Sequence, residues 1–256
     1  MITLEQLTEV VKQASTLMRT DHFDIREKDG AINIVTSSDV AVQDYLCTHL
    51  AELMPESGFY CEEKDLWDST HEWTWIIDPI DGTANYSRGI AECAICVGLK
   101  HHDDMQMSVV YLPMTQELFT AERGKGSYRN GKRLHVSDRK WENSIMCAAL
   151  SLYHKQWARA CQDIIYETYM QINDVRRFGA AAPEICYLGM GRIELFFEYM
   201  LSPWDFAAAS LILTEAGGVI SDLKGHKLTF QEPSGILAAN SQESLDKLVK
   251  IVGKFC

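Results

Sequence analysis

Two acidic residues follow the apolar run WTWII at residues 73–77. Asp78 and Asp81 stand three residues apart in the segment DPIDGT, with a proline between them. A proline-stiffened turn at a strand end can bring two carboxylates onto a hard cation, and the Ile80 carbonyl can supply another oxygen. Gly82 lets the backbone approach a ligand closely, and the amides of a following helix would face an anion. We therefore expect a divalent cation and a phosphate group to share this corner.

A third carboxylate comes from a separate cluster, SPWDFAAASLILTEAGG, at residues 202–218. Pro203 suits the first turn of a helix, and Asp205 would then lie at the positive end of the helix dipole. Each cluster alone has an ordinary structural explanation, because Asp-Pro and Asp-Gly pairs are common in turns and acids are common in first helical turns. The two clusters together favour a cation site.

Hydrophobic periodicity predicts the elements that position these acids. Apolar residues at three- and four-residue spacing predict helices over about 3–18 and 38–53, with Asp39 in the first turn of the second. The stretches WTWIID, AICVGL, MSVVYL and ELFTA are short and β-rich, which predicts strands of a shared sheet. Asn130-Gly131 between two polar arms predicts a hairpin.

Strands and helices alternate beyond residue 140. We expect strands at IMCAAL, ELFFE and GILAA, and a last helix capped by Asn240 with Glu243 three residues later. The chain shows no repeat or flexible linker, so residues 1–256 are predicted to form one unit with a shared core. The pattern also predicts helices over 154–170, 180–190 and 203–216. It divides the chain approximately into an N-terminal α+β half over 1–140, which carries DPIDGT, and a C-terminal α/β half over 141–256, which carries Asp205.

Composition narrows the class of protein. Of the 256 residues, 46% are hydrophobic and 23% charged, which is ordinary globular usage. No segment approaches the ~18 uncharged apolar residues of a membrane span, and the N-terminus lacks a basic secretion signal, so we expect a cytoplasmic protein with no membrane partner. The formal charge of −12 argues against nucleic acid as a partner. An acidic protein that handles phosphate must neutralise its carboxylates, for which divalent cations are the usual means.

Two other sets of side chains receive structural interpretations. The eight cysteines are scattered through apolar runs, which suits reduced core thiols, and the Cys93/Cys96 pair lies in a strand pattern, unlike a zinc or redox motif. His101 and His102 fall in a polar turn. Because adjacent residues of an extended segment point to opposite faces, we interpret these histidines as surface residues and not as a ligand pair.

WIIDPIDGTANY and PWDFAAASLILTEAGG together resemble the two signatures of the inositol monophosphatase family. GFYCEE at 58–63 resembles the acidic segment of that family, VTSSD at 35–39 resembles its Thr-rich turn, and the likeness extends from about residue 28 to 222. The resemblance implies a mixed α/β fold, a layered α-β-α-β-α sandwich of the inositol monophosphatase and sugar phosphatase type. It also implies a single catalytic unit, a homodimer and inhibition by Li⁺.

The resemblance further implies a Mg²⁺-dependent phosphatase with two or three cations in its site. Glu62, Asp78 and the Ile80 carbonyl would hold one Mg²⁺, and Asp78, Asp81 and Asp205 would hold a second. Two cations a few ångströms apart can stabilise the attacking and leaving oxygens of an in-line displacement, so no Cys, Ser or His nucleophile is required.

Substrate contacts are implied in the same way. Glu62 and Thr83 would orient the attacking water, and the Gly82 and Thr83 amides would cradle the phosphate. The remaining roles fall into two groups: Asp81, Ala181, Glu198 and Asp205 as substrate-binding residues, and Lys28, Asp39 and Glu63 as outer residues that support the water or a further, weaker metal.

The substrate implied first is inositol 1-phosphate, cleaved to inositol and phosphate, since the chain is compact and a small phosphorylated polyol or sugar suits it. The family also includes enzymes that act on fructose 1,6-bisphosphate, histidinol phosphate, NADP and phosphoadenosine phosphate, and the motifs do not choose among them. An alternative of another class is a catalytically silent protein that binds metal or phosphorylated ligands.

Overall fold

Two helices begin the chain and cover one face of a large sheet. The computed structural model describes residues 2–18, 24–27, 34–63, 71–150 and 154–255, so Lys28 lies outside the described residues. Helix α1 spans Leu4–Ser15, and α2 spans Ser37–Leu53 after the short antiparallel pair β1 (Ile25–Glu27) and β2 (Ile34–Thr36). Both helices begin with a capping box, and in α2 this box joins Thr36 to Asp39, which confirms the predicted place of that acid.

The large sheet has seven strands in the order β3-β4-β5-β6-β7-β8-β9. Strand β3 pairs parallel with β4, and every other neighbouring pair is antiparallel. The four predicted strands are β4 to β7, and the Asn130-Gly131 hairpin joins β8 to β9 with both turn residues at positive φ, as predicted. The strands span Gly58–Cys61, Trp73–Asp81, Ala94–His101, Asp104–Leu112, Glu117–Glu122, Gly126–Arg129 and Lys132–Arg133.

The second sheet has five strands in the order β11-β10-β12-β14-β13. Strand β10 pairs parallel with β11 and β12, whereas β14 runs antiparallel to both of its neighbours. Strands β10 to β14 span Ile145–Ala148, Asp174–Arg176, Leu195–Leu201, Val219–Ser221 and Ser234–Ala239, and helices α3 to α7 span Thr83–Tyr86, Ala158–Tyr169, Ala181–Gly189, Pro203–Glu215 and Gln242–Val252.

Alternation along the strands explains the layers. In β4, Trp75 and Ile77 pack with α1 and α2, while Ile76 packs with α5 and α6 on the opposite face. In β12, Phe196 faces α5 and α6, and Phe197 faces α4 and α7. Because both faces of each sheet are covered, their central strands are apolar at successive positions. The result is a mixed α/β fold with the predicted order of layers, helices-sheet-helices-sheet-helices.

Two local predictions were wrong. The cap of α7 is Ser241, whose hydroxyl accepts the Ser244 amide at 3.2 Å. Asn240 instead donates to the carbonyls of Ser137 and Arg139, at 3.0 and 2.9 Å, and so ties two loops together. The long-range bonds of Asn240 outweighed the local capping pattern.

The second wrong prediction concerns the two adjacent histidines. His102 has φ 52°, a left-handed conformation that breaks the strand alternation, and the rings of His101 and His102 lie on the same side with centroids 4.3 Å apart. Their location at the surface is confirmed, since His102 is exposed and His101 half-exposed.

Other features of the described residues bear on the sequence predictions. Cys93 and Cys96 are buried free thiols at the start of β5, in agreement with a packing role. None of the helices in the described part of the chain combines the length and the apolar character that crossing a lipid bilayer requires. The boundary between halves at residue 140 stays a prediction, and the core around α5 and α6 contains residues of both sheets.

Candidate active site

A β-bulge brings Asp78 and Asp81 together. Asp78 pairs with Cys96 and Asp81 with Ala94, so β4 has one residue more than β5 between these two pairs. Side chains three positions apart point to opposite faces of a regular strand, but an extra residue restores them to one face. Both carboxylates therefore line the same cavity of about 110 Å³.

Gly82 turns the chain from β4 into the single helical turn α3. Its φ of 83° is left-handed, and a Cβ at this position would lie 2.9 Å from the Ala180 Cβ and 2.9 Å from the Glu92 carbonyl oxygen. Only glycine combines this backbone conformation with this close approach. The glycine predicted to admit a ligand is thus also required for packing of the 180 loop against β4.

A buried hydrogen-bond chain leads from α2 to Thr83. The Thr83 hydroxyl lies 3.1 Å from Asp39 Oδ1 and 3.0 Å from the Ile80 carbonyl oxygen, and its single proton can go to one of them at a time. Asp39 Oδ2 accepts the amide of Thr36 at 2.8 Å and the Thr36 hydroxyl through a short bond. Burial raises the pKa of Asp39 against the effect of these bonds, and Glu62 raises it further. Asp39 therefore contacts the Thr83 hydroxyl directly and can orient it.

Asp205 occupies the third position of α6, as the sequence predicted. Its carboxylate accepts the Ser202 amide at 2.8 Å and completes a capping box, with Pro203 at the start of the helix. Strand β12 ends just before α6, so the chain delivers this acid to the cavity directly from the second sheet. Burial raises the pKa of Asp205 well above its usual value, and repulsion from Asp81 and Glu62 adds to that rise.

Asp81 links the large sheet to α5. Its carboxylate accepts the amides of Ala181 and Ala182 at 3.3 and 2.7 Å, at the beginning of that helix. Burial nevertheless raises the pKa of Asp81 to about 7, because the two amide bonds only partly offset the loss of hydration and Glu184 and Glu62 repel the charge. The backbone amide of Ala181, predicted to contact substrate, is bonded to Asp81 in this structure.

The two adjacent acids at the end of β3 separate into different environments. Glu62 is half-buried and lines the cavity, with its amide donating to the Ile77 carbonyl at 3.2 Å. Glu63 does not line the cavity, and its backbone is held by both polar atoms of the buried Gln43 side chain. The structure therefore brings the first acid of the pair to the cavity and leaves the second outside it.

The charge balance of the cavity fits divalent cations. Burial raises the pKa of Asp78 strongly, followed by repulsion from Glu62, Asp81 and Asp205. Among the described residues that line the cavity, Arg177 is the only cationic side chain. Clustered carboxylates in such a site must be protonated or neutralised by a cation. Carboxylates joined by a backbone carbonyl form an oxygen donor set that suits Mg²⁺.

Most of the predicted site residues therefore meet in one place. Those that line the cavity are Glu62, Asp78, Ile80, Asp81, Gly82, Thr83, Ala181, Glu198 and Asp205. Glu198 lies in β12 beside a bulge, and burial raises its pKa to about 8, with repulsion from Glu184 adding to the rise and Arg177 opposing it. Asp39 and Glu63 do not line the cavity, and Asp39 reaches it through Thr83.

Sequence reasoning missed Glu184, which is buried in the first turn of α5. Its Oε1 accepts the amides of Phe178 and Gly179 at 2.5 and 2.9 Å and so fixes the loop that precedes α5. Burial raises the pKa of Glu184, and the two amide bonds oppose that rise. The sequence feature that could have indicated Glu184 is its place as an acid in the first turn of the predicted 180–190 helix. Arg177, in the same loop, was also missed, and no motif in the sequence around it indicates a role.

Comparison with known sequences identifies related proteins. The inositol monophosphatase family model matches residues 3–254. The chain is 35% identical over 198 residues to "Nus factor SuhB" of Escherichia coli K12, which covers 77% of this chain and 74% of that protein. It is 30% identical over 263 aligned positions to "Inositol monophosphatase 3" of Solanum lycopersicum, with 98% of this chain and 96% of that protein covered.

Solved structures share the fold over almost the whole chain. The extragenic suppressor protein SuhB of Bartonella henselae matches with a TM-score of 0.90 and 27% identity, covering 98% of each chain. Staphylococcal IMPase-II with bound inositol monophosphate matches with a TM-score of 0.79 and 26% identity, and the same enzyme with bound 2′AMP with 0.80 and 27%. Each of these two matches covers 98% of this chain and 90% of the staphylococcal one. Given these matches and the family model's span, this chain belongs to the inositol monophosphatase family.

Proposed function

We propose that this protein is a Mg²⁺-dependent phosphatase of small phosphomonoesters, with inositol 1-phosphate as its first candidate substrate. The observation that carries the proposal is the convergence of Asp78 and Asp81 from β4 and Asp205 from α6 on one cavity, where burial and repulsion between carboxylates raise their pKa values. Membership of the family supports it, because that family is Mg²⁺-dependent in general. Glu62 and the Ile80 carbonyl would complete the oxygen ligands.

The chain supplies groups that can position a water molecule. When bound, the cations would supply positive charge to the attacking and leaving oxygens. Thr83 donates its proton to Asp39 or to the Ile80 carbonyl, so the hydroxyl oxygen keeps lone pairs that can accept a water proton. Glu62, which also lines the cavity, would accept the second proton of the water as general base. Asp39 acts by fixing the direction of the Thr83 hydroxyl.

The acids of the cavity suit a hydroxylated leaving group. Glu198 and Asp205 line it, and carboxylate oxygens accept hydrogen bonds from alcohols and repel additional anionic groups. With the phosphate bound by the Gly82 and Thr83 amides, these acids would be available to the hydroxyl groups of the polyol. The staphylococcal relative has been solved with inositol monophosphate and with 2′AMP, both of which carry one phosphate on a hydroxylated ring.

The proposal is tested by phosphate release from the purified protein. We would assay inositol 1-phosphate, fructose 1,6-bisphosphate, histidinol phosphate, NADP, phosphoadenosine phosphate and 2′AMP with Mg²⁺, beside an Asp205→Asn variant and an Asp246→Asn control on the exposed face of α7. We expect Mg²⁺-dependent turnover with preference for inositol 1-phosphate, lost in Asp205→Asn and kept in Asp246→Asn. Preference for another ester would replace the substrate and keep the site.

Silence on every substrate would instead favour a protein that binds metal or phosphorylated ligands without turnover. Several relatives carry the name Nus factor, which does not describe a phosphatase, so the absence of turnover would point to a binding function. A homodimer and inhibition by Li⁺ stay predictions from the family resemblance. Sedimentation and a LiCl titration of activity test them.

A further inference from the structure

A second group of metal-ligand side chains lies at the opposite end of β4 from the candidate active site. Glu72, His101 and His102 each offer one ligand atom, and these atoms all lie within 4.8 Å of one another. Strand β4 begins at Trp73, and Asp78 lies five positions further along the strand, a distance of roughly 16 Å. The group therefore shares no residue with the acidic cavity.

The backbone of the β5–β6 turn assembles this group. The His102 amide donates to the Glu72 carbonyl at 2.8 Å, which places the start of β4 beside the turn. The left-handed φ of His102 directs its ring to the same side as that of His101, and His101 is stacked on Trp73 with centroids 4.3 Å apart. The His101 ring is thus positioned by stacking on Trp73, and the His102 ring by its left-handed backbone conformation.

These contacts leave the ligand atoms close to a coordination distance. Glu72 Oε2 lies 4.0 Å from His101 Nε2. Tetrahedral Zn²⁺ with bonds of about 2.0–2.1 Å holds its ligand atoms about 3.4 Å apart. Side-chain rotations that move each ligand atom by less than about 1.5 Å would bring the three atoms to this spacing. The Glu72 side chain is 72% exposed and free of the packing that would oppose such a rotation.

We propose that Glu72, His101 and His102 form a binding site for a borderline divalent cation, with Zn²⁺ as the natural occupant and water in the fourth position. Two imidazoles and one carboxylate select Zn²⁺ over Mg²⁺, which prefers all-oxygen sites with several retained waters. The adjacent exposed Asp103 adds negative charge at the turn. Occupancy would clip the beginning of β4 to the β5–β6 hairpin and stabilise the large sheet at the end remote from the acids.

The test is a Zn²⁺ titration followed by calorimetry, with the full chain kept in excess Mg²⁺ so that the acidic cavity is occupied by the harder ion. We expect one saturable Zn²⁺ equivalent in the unaltered protein and at least about tenfold weaker binding in His101→Gln and His102→Gln. His135→Gln, which removes another exposed histidine, is the matched control and should bind normally. Thermal unfolding without Zn²⁺ checks that each variant is folded.

A second readout identifies the ligands. Electron paramagnetic resonance of one equivalent of Cu²⁺ should show coupling to two nitrogen atoms in the unaltered protein and to one in His102→Gln. The proposal is overturned if Zn²⁺ binding is absent, or if the His101 and His102 variants bind Zn²⁺ as tightly as the His135 control. Neither result depends on phosphatase activity.

Discussion

Replacement of Asp205 by asparagine should reduce the stabilisation of the protein by Mg²⁺ without lowering the stability of the metal-free protein. Asparagine keeps a side-chain oxygen that can accept the Ser202 amide, so the start of α6 is preserved. The raised pKa of Asp205 means that the ionised carboxylate is disfavoured in the folded, metal-free state, through burial first and then through Asp81 and Glu62. A neutral side chain removes that repulsion and loses a helix-dipole interaction of about 0.3–1 kcal/mol.

The size of the Mg²⁺ effect follows from mass action. A ligand present at a hundred times its Kd stabilises the folded state by about 2.7 kcal/mol. With an unfolding entropy of about 2.1 cal/mol/K per residue, a chain of 256 residues has about 0.5 kcal/mol/K, so one bound cation should raise the Tm by about 5 °C. In Asp205→Asn we expect the rise due to the cation that Asp205 would hold to fall to less than about half, and a metal-free Tm equal to or above that of the unaltered protein.

Thermal unfolding followed by circular dichroism, after chelation and again with saturating Mg²⁺, measures both quantities. Asp246→Asn changes the same chemical group at an exposed position and should reproduce the full Mg²⁺ shift. A Mg²⁺ shift of equal size in Asp205→Asn and the unaltered protein would refute the assignment of this carboxylate to the metal. A lowered metal-free Tm in Asp205→Asn would refute the argument from repulsion.

Three further substitutions address other parts of the site. Thr83→Ala should lower kcat by about a hundredfold, because it removes the hydroxyl that Asp39 orients, and Thr83→Ser should keep most of the activity. Glu184→Ala leaves two loop amides without their acceptor and should lower the free energy of unfolding by about 1–3 kcal/mol and raise KM, as chemical denaturation and steady-state kinetics would show. Gly82→Ala should lower the Tm, because φ 83° alone costs about 1–2 kcal/mol and its Cβ would clash with Ala180.

Each of these predictions has an outcome that contradicts it. Equal kcat for Thr83→Ala and the unaltered protein would remove Thr83 from the proposed chemistry. Glu184→Gln keeps an acceptor oxygen, and if it were as unstable as Glu184→Ala, the two amide bonds would not be the cause. Gly89 has positive φ and open space around it, so Gly89→Ala serves as the control for steric contact at Gly82.

Local chemistry was sufficient to predict the features with local causes. The place of Asp205 follows from Pro203 and the capping pattern, and the Asn130-Gly131 hairpin follows from the preference of those residues for positive φ. The order of layers, in contrast, was an implication of the family resemblance, and the apolar strands agree with it because they must be covered on both faces.

Features with distant causes were outside the reach of the sequence pattern. Nothing near Asp39 indicates that it bonds to Thr83, 44 residues later in the chain, or that Asp81 accepts an amide 101 residues away. The bulge in β4 is equally hidden, since it shows only in the pairing with β5. The left-handed conformation of His102 has no signature in the letters around it, which is why adjacent histidines were expected to diverge.

The bond between Asp81 and the beginning of α5 also has a consequence for the order in which the protein matures. Contacts between residues this far apart require the chain to close a long loop, which slows their formation. The acids on β4 and the acid on α6 then meet only when the layer of α5 and α6 docks between the two sheets. A partly folded or still-growing chain would hold no complete set of these carboxylates, so hydrolytic competence would arrive together with the finished core.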